Sequence, residues 1–557
     1  MKKYVQKNLS DVPVIQGFST VESALFSENG MFDIKKIEEN FPDLKTKSWL
    51  SRFINEISPL SMGPKFRKFI EDNKSSVFCV IGDYDADGIM ATTIMKLALQ
   101  TFGVKRCDYV IPDRLNDGYG IKQKHVDRAI SVGAQVIVTV DNGITANEAI
   151  EYAKSKGLKV VVTDHHIPDK NNLPKADLLI NPHLTNERFE EICGAMVAFK
   201  LATSLIDSSI RENEYVLKDL ALFAAVATIS DVMPILSENR LLVKYVLDNV
   251  NFVKDKGLWA GRTLKFISGF GNTRLVKNED QVITEDTIAF YIGPAINASG
   301  RVSGETEHVV EDIINAASYN VFINGYREIN NERKTKTQEI FREHVVNAEE
   351  PIGFMIIDHE KYDYPIGGLI GLVANRIADR EQKPALIGTL KDGKISFSCR
   401  SVPGYSLYGG LKRFFEKHPN TQVQGGGHDG AIGIRTSSDE DIKLLKEHFI
   451  QDYQQYAGVM EETVFKYDKK YAQEVFDSHS KLAPFGKGFE RLKFVYEGEV
   501  MHVDPTDYTI QIGDTMFRAF SKEQISQNVG ARVRVIFSVV LDNKKYDDFK
   551  VDEIEVI

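Results

Sequence analysis

Between residues 77 and 180 the chain alternates short apolar runs with longer segments of helical periodicity. The short runs are continuously apolar and rich in β-branched residues, which is typical of parallel strands covered on both faces. The longer segments are amphipathic and end in glycines, which favour helix C-caps. This pattern predicts a doubly wound, mainly parallel α/β sheet. The predicted strands are residues 77–82, 108–111, 135–140, 158–163 and 177–180, and the predicted helices are 89–102, 122–132 and 145–156.

Outside this region the pattern changes several times and divides the chain into candidate domains. After residue 190 the periodicity is helical, with an apolar helix that ends at Asp231 and further helices predicted over 237–270 and 306–318. Sparse apolar residues among many charges predict a long, mostly solvated linking helix. Short strands separated by turns near the C-terminus predict a β-barrel. The predicted domains are a helical lead-in (1–70), the first α/β domain (71–318), the linking helix (319–349), a second, smaller α/β domain (350–459) and the barrel (460–557).

The composition is that of an ordinary globular protein. Of 557 residues, 43% are hydrophobic and 27% charged, so each predicted domain has enough apolar material for a core. The net charge of −10 argues against polyanion binding over the whole surface, although local basic patches decide binding. Four scattered cysteines indicate a reducing compartment, and no apolar run approaches the ~20 residues that span a bilayer. We therefore expect a cytoplasmic protein with no membrane partner.

Carboxylates and imidazoles follow three of the predicted strands. The strands run into DYDADG at 83–88, DNG at 141–143 and DHH at 164–166. Because the carboxyl ends of parallel strands meet at one edge of a sheet, we expect these side chains in one crevice, joined by Asp231. A single Asp at a strand end is most often a helix N-cap or a turn residue, but this many carboxylates with imidazoles suit manganese, zinc or magnesium. The set exceeds what one ion needs and fits two ions that share a bridging carboxylate.

In order and spacing, these motifs resemble those of the DHH phosphoesterase superfamily. Three downstream motifs, GPAINASGR at 293–301, SCRS at 398–401 and GGGH at 425–428, resemble those of its RecJ branch of single-strand-specific 5′→3′ exonucleases. The resemblance covers about residues 70–435. More loosely, APFGKG at 483–488 resembles the start of the oligonucleotide-binding barrel of that branch, after which the chain departs from the usual Asn-Pro turn and carries FER at 489–491.

The resemblance implies a role for each motif. It implies two bound manganese or magnesium ions, with Asp141 as their bridge and with Asp83 and Asp164 orienting the ligands. It places the substrate across an interdomain cleft, where the planar fork of arginine binds phosphate bidentately. The implied ligands are Asp85, Asp87, Asp141, His165, His166 and Asp231, which with Asp83 form the catalytic set. The implied substrate-binding residues are Arg114, Asn297, Arg301, Ser398, Arg400, Gly426 and His428.

The implied activity is two-metal hydrolysis of single-stranded DNA, 5′→3′, to 5′-mononucleotides in DNA repair or recombination. A single-stranded-DNA-binding protein and a helicase are candidate partners. Independently, basic residues interleave with aromatic ones over 394–417, a combination expected of a groove for single strands. One alternative is a phosphodiesterase of short oligonucleotides or cyclic dinucleotides, whose DHH relatives usually stop after the second domain. Another is a non-catalytic replication scaffold, which the intact ligand set disfavours.

Overall fold

The computed structural model describes residues 2–44, 57–252, 283–315, 319–344, 349–519, 523–540 and 548–557. Parts of the predicted helices, at 253–270, 316–318 and 345–348, lie outside the described residues. No helix in the described ranges is both long and apolar enough to cross a membrane.

Strands and helices of the described residues are numbered here in chain order. The strands are β1 (Lys2–Lys7), β2 (Val77–Ile81), β3 (Arg106–Val110), β4 (Val136–Thr139), β5 (Lys159–Thr163), β6 (Leu178–Ile180), β7 (Gly353–Asp358), β8 (Ala385–Lys391), β9 (Lys394–Arg400), β10 (Gln424–His428), β11 (Ala431–Thr436), β12 (Met460–Lys466), β13 (Lys493–Asp504), β14 (Thr509–Ile512), β15 (Thr515–Arg518), β16 (Arg532–Val540) and β17 (Asp548–Val556). The helices are α1 (Thr20–Glu28), α2 (Ile34–Asn40), α3 (Gly63–Asp72), α4 (Ala86–Phe102), α5 (Gln123–Ser131), α6 (Asn147–Ser155), α7 (Gly194–Leu205), α8 (Arg211–Ser230), α9 (Ser237–Phe252), α10 (Gly293–Val302), α11 (Glu307–Ile314), α12 (Tyr319–Glu343), α13 (Ile370–Glu381), α14 (Leu407–Lys417), α15 (Asp439–Tyr456) and α16 (Ala472–Leu482).

The first sheet is parallel throughout, in the order β3-β2-β4-β5-β6, which confirms the doubly wound α/β prediction. Successive residues of each strand point to opposite faces. Phe78 and Val80 therefore join a core with α4, α7 and α8, whereas Cys79 and Ile81 join one with α5 and α6. Burial on both faces explains why the strands are continuously apolar.

The second α/β domain has a mixed sheet in the order β10-β11-β9-β8-β7, in which β7 and β8 are parallel and the other pairs antiparallel. The glycine-rich motif lies in the edge strand β10 of this sheet. The predicted linking helix corresponds to α12, which precedes this domain in the chain.

The C-terminal strands form a closed ring, as the barrel prediction requires. Strand β13 pairs with β14, followed by β15, β17 and β16, and β16 returns to β13. Between α16 and β13 lies a segment that we call the docking loop (residues 483–491). It contacts the first α/β domain through a hydrogen bond from the Ile235 N–H to the Lys487 carbonyl.

The N-terminal segment differs from the predicted helical lead-in. Residues 2–7 form strand β1, which pairs in parallel with β12 and so extends the sheet of the barrel. Helices α1 and α2 follow, and Phe26 and Phe41 complete the barrel core. The partner of β1 lies more than 450 residues away in the chain. Local sequence cannot encode such a pairing, because strand preference depends on the neighbours a strand packs against.

Candidate active site

The carboxyl ends of β2, β4 and β5 lie side by side and open onto one crevice. His165 occupies its centre. Its Nε2 lies 3.2 Å from Asp141 Oδ1, 3.6 Å from Asp87 Oδ2 and 3.7 Å from Asp231 Oδ2. Four separate segments of the chain thus bring one imidazole and three carboxylates together.

Backbone hydrogen bonds fix the two carboxylates of the loop after β2. Asp85 is the N-cap of α4, and its Oδ1 accepts the N–H groups of Asp87 at 3.0 Å and Gly88 at 3.1 Å. The oxygens of Asp87 accept the N–H groups of Gly194 and Ala195, both at 2.7 Å, in the first turn of α7. The positive end of that helix therefore holds the Asp87 carboxylate in the crevice.

Asp141 has a strained backbone and an unpartnered oxygen. Its φ of 59° lies in the left-handed region, which is uncommon for residues other than glycine. The side chain is 2% exposed, and Oδ1 accepts no hydrogen bond from the described residues. Helix α7 packs so closely that a Cβ on Gly194 would lie 2.5 Å from Asp141 Cβ. The left-handed backbone and the buried oxygen without a hydrogen bond indicate that this residue is held for a ligand.

Asp164 orients the adjacent histidines. Its Oδ1 accepts the His165 N–H at 2.7 Å and the His166 N–H at 3.1 Å, and lies 2.8 Å from His166 Nδ1. Its Oδ2 accepts the Ile144 N–H at 2.9 Å. Burial disfavours the imidazolium of His166, yet the hydrogen bond and charge of Asp164 raise its pKa to about 9. Such a carboxylate sets the orientation and tautomer of a metal-binding imidazole.

Burial and crowding disfavour the negative charges of the crevice. Burial and the charge of Asp85 raise the pKa of Asp83 to about 8. Burial and the charges of Asp87 and Asp85 raise the pKa of Asp231 to about 8. For Asp141, burial and the same two carboxylates raise the pKa well above its ordinary value. Divalent cations would relieve this repulsion.

These residues fit a centre for divalent cations. Burial lowers the pKa of His165, which leaves its imidazole neutral and able to ligate. Asp83 Oδ1, like Asp141 Oδ1, is buried without a hydrogen-bond partner among the described residues. Carboxylate oxygen with neutral imidazole suits manganese, zinc or magnesium. Three groups have ligand atoms within 4.8 Å of one another and together include every ligand expected from the sequence: Asp141, His165 and His166; Asp87, His165 and Asp231; and Asp83, Asp85 and Asp141.

Three of the expected phosphate-binding arginines meet where the two α/β domains face each other. Arg301 of α10 donates to the carbonyl of Gly368, just before α13, at 3.2 Å. Burial and then the charges of Arg114, Arg333 and Arg400 lower the pKa of Arg301 well below its usual range. None of these arginines forms an ion pair with a carboxylate of the described residues. The cluster thus has unbalanced positive charge, which an anion would neutralise.

The remaining residues expected to bind substrate lie outside the arginine cluster. The side-chain oxygen of Asn297 accepts the Ala86 N–H at 2.9 Å and so braces the loop that carries the metal-binding carboxylates. Ser398 and Gly426 line a cleft of about 1160 Å³ between the domains, together with Arg114.

His428 ends strand β10, and burial and then the charge of Arg400 lower its pKa. Sequence reasoning missed two residues of these surroundings. The Tyr119 hydroxyl lies 3.3 Å from His166 Nδ1, and Arg333 of α12 acts on the arginine cluster. Neither has a local sequence signal, because one lies in a loop and the other in a helix with many charges.

Comparison with known proteins finds two matching domain models and similar exonucleases. The model for the DHH family, N-terminal domain, matches residues 77–228, and that for the DHHA1 domain matches residues 363–455. A single-stranded-DNA-specific exonuclease RecJ of Escherichia coli is 31% identical over 391 residues. The chain therefore resembles the RecJ exonucleases and contains regions that match both DHH-type domain models. The alignment covers 66% of this chain and 65% of the E. coli protein, just under two thirds of that relative.

Solved structures of RecJ proteins share the fold of this chain. The Mn²⁺ complex of RecJ from Thermus thermophilus superposes with a TM-score of 0.75 at 20% identity, over 100% of this chain and 80% of the other. An exonuclease RecJ bound to manganese superposes with a TM-score of 0.55 at 27% identity, over 71% of this chain and 95% of the other. Because the first match spans the whole chain, the shared fold includes the C-terminal barrel.

Proposed function

We propose that this chain is a metal-dependent exonuclease that degrades single-stranded DNA from the 5′ end and releases 5′-mononucleotides. The observation that carries the proposal is a crevice of crowded carboxylates and imidazoles beside a cluster of unpaired arginines. A cation centre next to an anion site is what hydrolysis of a phosphodiester requires. The relatives named above, single-stranded-DNA-specific exonucleases, support the choice of substrate.

In this proposal the crevice holds two divalent ions, manganese or magnesium. The residues that would hold the ions are Asp85, Asp87, Asp141, His165, His166 and Asp231, and Asp141 is the proposed shared ligand because it belongs to two of the ligand groups. Bound at this place, the ions would supply a water of lowered pKa and would stabilise the charge of the leaving oxygen. Asp83 and Asp164 keep the ligand set in position.

The protein's own contribution is to place the phosphodiester. Arg114, Arg301 and Arg400 would hold the 5′-terminal phosphate and the scissile group, since guanidinium groups that form no ion pair with the described residues gain most from an added anion. Ser398 and Gly426 line the cleft for the terminal nucleotide. Asn297 would act by bracing the metal-binding loop, and His428 would close the cleft at the end of β10.

The barrel would hold the strand beyond the active site, as closed β-barrels of oligonucleotide-binding type do. Its position in the same chain favours long strands as substrates. A single-stranded-DNA-binding protein and a helicase would deliver such strands during repair or recombination.

Digestion of end-labelled strands tests the activity. With Mn²⁺ or Mg²⁺, a 5′-labelled single strand should yield labelled mononucleotide first, whereas a 3′-labelled strand should shorten progressively. Blunt duplexes and reactions with chelator should show no product. His165→Ala should abolish hydrolysis and leave strand binding measurable, because the arginine cluster is intact. Release from the 3′ end, or activity in chelator, would refute the assignment.

A length series separates long strands from short substrates. Single strands of two, five, twenty and fifty nucleotides are compared at equal concentrations of ends, together with a cyclic dinucleotide. A higher kcat/KM for the longer strands supports the exonuclease. Preference for pieces of two to five nucleotides, or cleavage of the cyclic dinucleotide, would instead identify a short-substrate phosphodiesterase.

A further inference from the structure

The docking loop brings a lysine from the C-terminal part of the chain to the metal-binding crevice. Gly486 and Phe489 exchange two backbone hydrogen bonds of 2.9 Å, which close a tight turn. Lys487 lies in this turn, and its carbonyl accepts the Ile235 N–H at 2.8 Å. Ile235 belongs to the short segment that follows Asp231. The turn therefore packs against the segment that presents an expected metal ligand.

Buried ionic contacts fix the position of the loop. Arg240 of α9 donates to the carbonyl of Pro484 at 3.0 Å and pairs with Asp43 of the N-terminal segment at 2.8 Å. Arg491, at the other end of the loop, pairs with Glu285. Because both ends are held by buried contacts with the first α/β domain, the lysine in the turn has a defined place.

The Lys487 side chain is exposed, and its ammonium has no ion-pair or hydrogen-bond partner among the described residues. The turn is in close contact with the segment after Asp231, since a Cβ on Gly488 would lie 3.5 Å from Pro234 Cβ. The charge of Lys487 also reaches the glycine-rich strand, where it adds to the lowering of the His428 pKa caused by burial and Arg400. An unneutralised cation thus lies beside the segment that follows Asp231 and near the glycine-rich strand.

We infer that Lys487 binds a backbone phosphate of the DNA strand on the 3′ side of the scissile bond, where the strand passes from the crevice to the barrel. The inference rests on the proposed function and assigns the docking loop to the active site. The arginine cluster already provides for the 5′ end, and the lysine lies on the side of Asp231 that adjoins the barrel. A flexible ammonium on a fixed backbone suits a phosphate contact that is independent of sequence.

The test compares Lys487→Gln with Lys105→Gln in the full chain. Lys105 is also an exposed lysine; it lies just before β3, at the amino ends of the parallel strands, opposite the crevice. Binding of a 5′-phosphorylated single strand is measured in chelator at several salt concentrations, and hydrolysis is measured with Mn²⁺. For Lys487→Gln we expect KM to rise about fivefold with kcat nearly unchanged, and the slope of log Kd against log salt to fall by about 0.7. Lys487→Arg should retain both values.

Neutral methylphosphonate linkages locate the contact. A series of strands carries one such linkage at each of the first six positions, and each strand is bound to wild-type protein and to Lys487→Gln. At the contacted phosphate the linkage should weaken wild-type binding and leave Lys487→Gln unchanged. The inference is overturned if Lys487→Gln behaves like Lys105→Gln, or if no position abolishes the difference between the proteins. If wild-type protein neither binds nor hydrolyses the strand, the proposed function fails instead.

Discussion

Replacing Asp141 by Asn tests whether the crevice is a repulsive cluster that divalent cations relieve. The carboxylate is 2% exposed, has an oxygen without a hydrogen-bond partner among the described residues and lies 3.2 Å from His165 Nε2. Its left-handed backbone suits Asn as well as Asp. The exchange therefore removes a charge and changes little else.

Asp141→Asn should make the metal-free protein more stable than the wild type and the metal-bound protein less stable. A carboxyl whose pKa is raised in the folded state stabilises the fold at low pH, and this contribution is lost as pH rises through the folded pKa. For Asp83 and Asp231 that loss runs from the ordinary 3.8 to about 8, so the metal-free protein weakens over this range. Asp141→Asn removes one of the interacting charges. At pH 8 in chelator we expect the free energy of unfolding of Asp141→Asn to exceed that of the wild-type protein by an amount on the order of 1–3 kcal/mol, or its Tm to be roughly 2–10 °C higher.

Scanning calorimetry at pH 5 and pH 8, with chelator or with Mn²⁺, measures both signs. At a hundredfold excess of Mn²⁺ over its Kd, the free energy of unfolding of the wild-type protein should rise by about 2.7 kcal/mol. The free energy of unfolding of the variant should rise less, so with Mn²⁺ the wild-type protein becomes the more stable of the two. The control is Asp392→Asn, the same exchange at an exposed residue with a φ of 49°. A variant that is destabilised in chelator at pH 8 while the control is neutral would refute the reasoning, as would an undiminished gain with Mn²⁺.

Three further predictions test single contacts. Gly194→Ala should reduce hydrolysis at least tenfold with unchanged circular dichroism, because the added Cβ would displace Asp141; normal activity would show that the close packing is not needed. Asp164→Asn should lower the pKa of His166 from about 9 toward 6.5 in metal-free protein, followed by NMR titration of the ring protons; an unchanged pKa would rule out their pairing. Arg240→Leu should cost about 3–5 kcal/mol by leaving a buried carboxylate unpaired, seen as faster proteolysis of the N-terminal segment; equal resistance would contradict the role given to this ion pair.

Local sequence predicted the parts of the fold that depend on local pattern. Continuous apolar runs indicated the parallel sheet, since only strands covered on both faces need them, and glycines marked the ends of helices such as α4 at Gly103. The motifs at the ends of β2, β4 and β5 predicted a shared crevice, because parallel strands end at the same edge. The expected ligands do lie together there.

Contacts between distant segments were not predictable in this way. Asp87 accepts hydrogen bonds from the first turn of α7, more than 100 residues away in the chain. Neither segment alone has a sequence pattern that predicts this contact. The same holds for Asn297, whose motif suggested a substrate contact but whose side chain accepts the Ala86 N–H. Strand β1 joins the barrel sheet from the opposite end of the chain, so a helical lead-in was the wrong expectation for residues 2–7.

By itself the sequence determined the periodicities, the strand-end motifs and hence the kind of chemistry, because each of these depends on a few consecutive residues. The tertiary structure alone decided which groups remain without partners. Burial leaves an Asp141 oxygen without a hydrogen bond from the described residues, and the meeting of two domains concentrates the charges of Arg114, Arg301 and Arg400. The docking loop brings Lys487 next to the segment that follows Asp231. These are properties of packing between distant segments, and they give a local motif the electrostatic surroundings in which it can act.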